Sequence, residues 1–134
     1  MNRSERARHL YAEALLRDIG RRLIVPWPVY TEADLFLRSK GLGAAANTLG
    51  RALLRGEHVL DWPDRTELSA ALVLLERYGD LGIDLPDAVV MAMADARDAK
   101  VVTWDFRHFR AVVFRRGETI PLVVNESELP GSQR

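Results

Sequence analysis

No cysteine occurs among the 134 residues, which excludes disulfide frameworks, thiolate zinc sites and thiol nucleophiles together. Such a chain suits a reducing interior, and the expected location is the cytoplasm. Charge of one sign is also missing: 19 Lys and Arg balance 19 Asp and Glu. There is accordingly no net positive field to drive non-specific binding of a polyanion, so any such contact must be local. No apolar run nears the roughly 20 residues that a bilayer requires, and the charged start Met1 to Arg8 is not followed by an apolar signal region. Secretion and membrane insertion are both disfavoured. The sequence holds no G-x-S-x-G elbow, P-loop, complete G-x-G-x-x-G or H-E-x-x-H, and Gly41-Leu42-Gly43 reads as a helix break. Internal repeats and Gly/Ser linkers are absent.

What remains is a chain of about one domain, roughly half apolar, long enough to bury one core. We expect a single domain over residues 1–125 and a polar tail from Glu126 to Arg134. Asn2 or Ser4 can cap a first helix to about Asp18, ended by Gly20. Leu23 to Val25 reads as a short buried strand stopped by Pro26. Pro28 suits the first turn of a helix from Val29 to about Lys40, and a further helix runs to about Arg55. His58 to Leu60 reads as a brief strand, and Pro63 opens a helix to about Tyr78. From Ala88 to Ala94 the chain is apolar on every side, as a helix wedged between other elements must be. Lys100 to Trp104 reads as a parallel-type strand, Asp105 to Phe109 as a helical turn, and Ala111 to Phe114 with Ile120 to Val124 as a closing pair around Gly117. Helices alternating with short apolar strands imply an α/β fold with a parallel sheet covered on both faces.

Three carboxylates stand out from those on solvated helix faces. At about 100° per residue, Glu32 falls in the apolar arc of its helix between Leu35 and Phe36, where a carboxylate needs a cation, hydrogen bonds or a metal. An ion pair with a neighbouring Arg would satisfy it equally well. Asp87 sits at the mouth of the all-apolar helix, and Asp105 follows the strand Lys100 to Trp104, where open α/β sheets place ligands; both could instead be helix caps. If the three converge, a hard cation relieves their repulsion. Magnesium or manganese suits an oxygen-only site, and His9, His58 and His108 lie too far apart in sequence to suggest zinc. Such clusters commonly activate water against phosphodiesters. The basic stretch Arg107, His108, Arg110, Arg115 and Arg116, broken by Phe109 and Phe114, can receive flanking phosphates, with Arg107 and Arg110 nearest Asp105. A solvated edge accounts for the same residues. Trp27, Trp62 and Trp104 read as core or interface anchors rather than base-stacking platforms.

Pro26 to Leu35 (PWPVYTEADL), Asp84 to Val90 (DLPDAVV) and Val102 to Phe109 (VTWDFRHF) together resemble a PIN domain, with the nearest likeness to VapC-type toxins. The resemblance runs from about Leu23 to Val113, with the segments in the family's order. It implies a three-layer sandwich, a short parallel sheet between helices, and a magnesium- or manganese-dependent endoribonuclease inhibited by a VapB-type antitoxin. It matches Glu32, Asp87 and Asp105 to metal-binding catalytic acids and Thr103 to an assisting hydroxyl, and it implies a homodimer. At one place the likeness breaks. The family opens on a central strand carrying its first catalytic aspartate, whereas this sequence opens at Met1-Asn-Arg-Ser, in what would be the following helix, and Asp18 lies too far along to replace it. The resemblance therefore implies a sheet without its first, central strand. It leaves two functions open: the ribonuclease, or a PIN domain reduced to an antitoxin-binding or dimerisation module.

Overall fold

The computed structural model describes residues 6, 7, 10, 11, 14, 15, 17, 23–103, 105–114 and 117–123. The expected caps Asn2 and Ser4, the helix end at Gly20, and Asp18, Trp104, Arg115, Arg116 and the tail from Glu126 lie outside the described residues. Before residue 18 the described residues are helical. There follow β1 (Ile24–Pro26), α1 (Trp27–Ser39), α2 (Gly43–Leu54), β2 (Val59–Asp61), α3 (Arg65–Tyr78), a 3₁₀ turn (Gly79–Leu81), α4 (Leu85–Ala96) and α5 (Phe106–Ala111). This is an α/β fold with a short parallel two-stranded sheet flanked by helices. Ile24 pairs with Val59, Val25 with Leu60 and Pro26 with Asp61. Pro26 closes its strand from within, since the missing N–H matters little at the last residue.

The sequence dictates most of the helix ends. Asp64 and Glu67 form a capping box on α3: the Asp64 carboxylate accepts from the Glu67 N–H at 2.7 Å, and Glu67 accepts from the Asp64 N–H at 2.9 Å. The helix thus begins at Arg65, two residues after Pro63. Asp84 caps α4 in the same way, with Asp87 as its reciprocal partner. At the other end of α4, Asp98 takes the left-handed conformation (φ 50°), so that Ala99 N–H reaches the Ala94 carbonyl and Asp98 N–H that of Asp95. That double bond is a Schellman ending with Asp where Gly is usual.

The core is built on α4. Ala88, Val89, Met91, Ala92, Met93 and Ala94 are all buried, packed with Ala71, Leu74, Ile83, Val101, Phe109, Val112 and Ile120. α3 packs along it, with Ala71 and Leu74 in the same cluster. A second, smaller cluster joins the N-terminal helical stretch to Leu122 and Val123, with Tyr11 and Leu15 against buried Phe106.

Two expectations are corrected. Among the described residues, Lys100 to Trp104 forms no ladder but a single parallel bridge, Val101 to Leu122. The expected pairing of Ala111 to Phe114 with Ile120 to Val124 is absent among the described residues. Ala111 closes α5, and Phe114 N–H bonds the Glu118 carbonyl at 3.0 Å in a turn through left-handed Gly117. Val101 takes the strand partner instead, because its N–H and C=O reach Pro121 and Val123.

Candidate metal centre

The N-terminus of α4 and the end of the Val101 segment meet at one place. Asp87, at the third position of α4, is held by its own capping box. Its N–H donates to Asp84 at 3.1 Å, and its carboxylate accepts from the Asp84 N–H at 3.4 Å. Asp105 is fixed from both sides. Its N–H donates to the Thr103 hydroxyl at 3.0 Å, and its carboxylate caps α5 by accepting from the His108 N–H at 3.3 Å. Thr103 thus shapes the turn that presents Asp105.

The residue that joins the two acids is His108, whose α5 position turns it inward while Arg107 and Arg110 stay exposed. Its Nδ1 lies 2.7 Å from Asp105 and 3.9 Å from Asp87. Its Nε2 lies 2.8 Å from the Leu81 carbonyl, which is presented by a turn that needs left-handed Gly82 (φ 79°). A carbonyl oxygen only accepts, so Nε2 carries a proton. Nδ1 faces the Asp105 carboxylate, an arrangement that favours a proton on that nitrogen too. Its pKa is accordingly raised, chiefly by the Asp105 hydrogen bond. Asp87, Asp105 and His108 each offer a ligand atom, all within 4.8 Å of one another.

Burial pushes the Asp87 carboxyl up to about 6, with the neighbouring Asp84 adding to the rise. A carboxylate that is partly desolvated and faces two other acids favours further positive charge beside it. Two hard oxygens fit a divalent cation of the magnesium or manganese kind. His108 is engaged at both ring nitrogens and fits the role of an orienting partner to Asp105 better than that of a ligand.

Glu32 lies outside this group. Of the apolar arc expected on α1, Val29, Ala33 and Leu37 are half-buried, whereas Glu32, Leu35 and Phe36 are exposed. No arginine pairs with Glu32 among the described contacts; Arg38 is held by Asp34 at 3.0 Å. The carboxylate instead approaches Asp84, and its pKa is raised by partial desolvation and then by the charge and hydrogen bonding of Asp84. Glu32, Asp84, Asp87 and Asp105 therefore form a chain of acids with His108 at one end.

Reading the sequence missed His108 and Asp84 as members of the site. His108 was grouped with the basic stretch, but its spacing three residues after a helix-capping Asp was a usable signal, since that spacing turns N-cap and N3 toward each other. Of that stretch, the Arg110 guanidinium lies 5.3 Å from the Phe106 ring. Trp62 is not a core residue: it is 62% exposed and stacks on Trp27 at 5.2 Å, which stacks in turn on Tyr30. No described helix is long and apolar enough to cross a membrane.

No curated protein matches the chain. The sequence model of the PIN domain does match it, over residues 2–114. This span contains every element of the fold before Gly117 and all of the acids just described. The chain belongs to the PIN domain family, and a nuclease is the activity that membership implies.

Proposed function

We propose that this protein is a magnesium- or manganese-dependent endoribonuclease of the VapC type, the toxin of a toxin–antitoxin pair, acting as a homodimer and restrained by a VapB-type antitoxin. The observation that carries the reading is the meeting of Asp87 and Asp105 at the N-terminus of α4, with Asp87 desolvated enough to hold its proton to about pH 6. Asp87 and Asp105 are the ligands, and Glu32 approaches from the rim through Asp84. A bound ion would supply positive charge for the attacking water and for the developing phosphoryl oxyanion. His108 holds Asp105 in place, and Thr103 fixes the backbone from which it projects. Arg107 and Arg110, exposed on the same short helix, would receive flanking phosphates and tie activity to low salt.

The test is a manganese titration beside a cleavage assay on structured RNA. A bound ion stabilises the folded state by mass action, so the melting temperature should climb with manganese concentration and the RNA should be cut. Asp105→Asn should abolish both responses. A melting temperature indifferent to millimolar manganese would remove the metal site. A metal response without cleavage would leave the antitoxin-binding module.

A further inference from the structure

Three aromatic side chains stack at the carboxyl ends of the two strands. Trp27 follows β1 directly, and Trp62 follows β2 directly. Trp27 is the shared ring: it lies 5.2 Å from Trp62 with the planes 22° apart, and 5.7 Å from Tyr30 with the planes 12° apart. Both spacings are those of offset-stacked rings. Tyr30 is seated against α2, where its hydroxyl passes so close to Gly50 that a Cβ there would lie 2.7 Å from it. Trp62 is pinned through its backbone. Its N–H donates to the Asp61 carboxylate at 2.8 Å, and its carbonyl accepts from Arg97 at 3.3 Å. Yet the residue is 62% exposed. One face of the indole is spent on Trp27, so the opposite face is the one that solvent reaches.

We propose that Trp62 is a stacking platform for an unpaired base of RNA, away from the bond that is cut; the identity of the polymer rests on the ribonuclease reading. A tryptophan that anchors a protein partner sinks into a pocket and is desolvated on all sides. Trp62 has already given one face to Trp27, and its backbone is held on both sides, so it offers a flat, pre-set surface. A flat aromatic ligand continues such a stack, and every base has a face that does so. A base face carries no net charge, which suits the surroundings. Arg97 already holds the Asp61 carboxylate at 2.7 Å, and the chain has no surplus of cations to grip a polyanion. Stacking supplies affinity where charge is lacking. In a duplex both faces of a base are covered by its neighbours, so the ligand is a loop, a bulge or a free end. The platform is also within reach of the acids. Glu32 stands five residues beyond Trp27 on α1, about 7.5 Å along its axis, and Asp87 stands ten residues before Arg97 on α4, about 15 Å along its axis. The base on Trp62 therefore belongs to a nucleotide a few positions from the scissile phosphate, and stacking there selects which unpaired segment meets the acids.

The test uses the full 134-residue chain in EDTA, so that RNA is bound without being cut. A short single-stranded RNA, and the same strand annealed to its complement, are titrated in, with affinity read from the anisotropy of a labelled strand and stacking read from tryptophan fluorescence. The single strand should quench the emission more than the duplex does. Trp62→Ala should bind the single strand at least about fivefold more weakly, the lower end for one lost base stack. Its affinity should fall with salt at the parent's slope, because a stack releases no counterions. Trp62→Phe keeps a ring and should restore most of the affinity while losing most of the quench. Equal affinity of Trp62→Ala and the parent, equal quenching by strand and duplex, a changed salt slope or a failure of phenylalanine to rescue would each overturn the proposal. So would a Trp62→Ala variant that loses self-association in sedimentation while keeping its RNA affinity, since the ring would then be a protein contact. A manganese cleavage assay on the same proteins separates the platform from the reading it rests on. RNA held through Trp62 but never cut ends the ribonuclease and keeps the platform, whereas unimpaired binding and cutting by Trp62→Ala ends the platform alone.

Discussion

Asp87 carries two opposed demands. Its place at the third residue of α4 favours a negative charge, because the helix dipole and the Asp84 N–H both point at it. Its desolvation and its acidic neighbours favour the neutral form, and they win, raising the carboxyl from 3.8 to about 6. An acid whose folded pKa exceeds its unfolded one binds its proton more tightly when folded. That contribution to stability is complete below about pH 4 and is lost as pH rises to about 6. Asn at 87 can keep the capping oxygen and has no charge to desolvate. In metal-free buffer Asp87→Asn should therefore be the more stable chain at pH 7, by on the order of 1–2 kcal/mol, with the gap closing near pH 4. Urea unfolding at the two pH values measures this. A constant gap, or a variant less stable at pH 7, would mean that Asp87 is simply a helix-capping carboxylate.

At the scale of elements, the two ends of α4 show what was legible in the sequence. Pro86-Asp87 before a wholly apolar run marks the mouth of a helix, and the structure starts that helix at Leu85 with Asp84, not Asp87, as the cap. Helices came through because their periodicity and end signals are local. The strands came through less well. Val101 makes one bridge where a five-residue strand was expected, because pairing depends on partners distant in sequence and one edge here faces a cavity. The burial expected of Glu32 is not met for a related reason, since a helical wheel gives the arc but not which half of it meets the rest of the protein. The capping box yields a prediction of its own. Asp84→Asn keeps an N-cap of equal quality while removing the charge that raises both Asp87 and Glu32. Carboxyl titration followed by NMR should show the Asp87 pKa falling below about 6 and Glu32 falling with it, at little cost in stability. If Asp87 stays put, burial alone sets its value and the acids are not coupled through Asp84.

Across the whole molecule, one side chain ties the half-sheet to the helical core. Arg97, at the C-terminus of α4, donates to Glu67 of α3 at 2.8 and 3.0 Å, to Asp61 of β2 at 2.7 Å and to the Trp62 carbonyl at 3.3 Å. None of this network was read from the sequence, because its members are some 30 residues apart and each looks like an ordinary surface charge. Yet Glu67 is 3% exposed, the one buried charged residue among those described. Arg97 holds its carboxyl below the usual range, so the pair contributes stability that is present above about pH 4.5 and is lost as pH falls through the depressed value. Arg97→Met keeps much of the volume but leaves a buried carboxylate without a cation, and should cost on the order of 3–5 kcal/mol in urea unfolding at pH 7. The loss should shrink as pH falls toward 4, where the stranded acid takes up a proton. Adding Glu67→Gln to Arg97→Met should restore part of the stability, because the amide oxygen can still accept from the Asp64 N–H without carrying charge. If the double variant is no better than the single, the contribution of Arg97 lies in its contacts with Asp61 and Trp62, and the half-sheet is anchored by those alone.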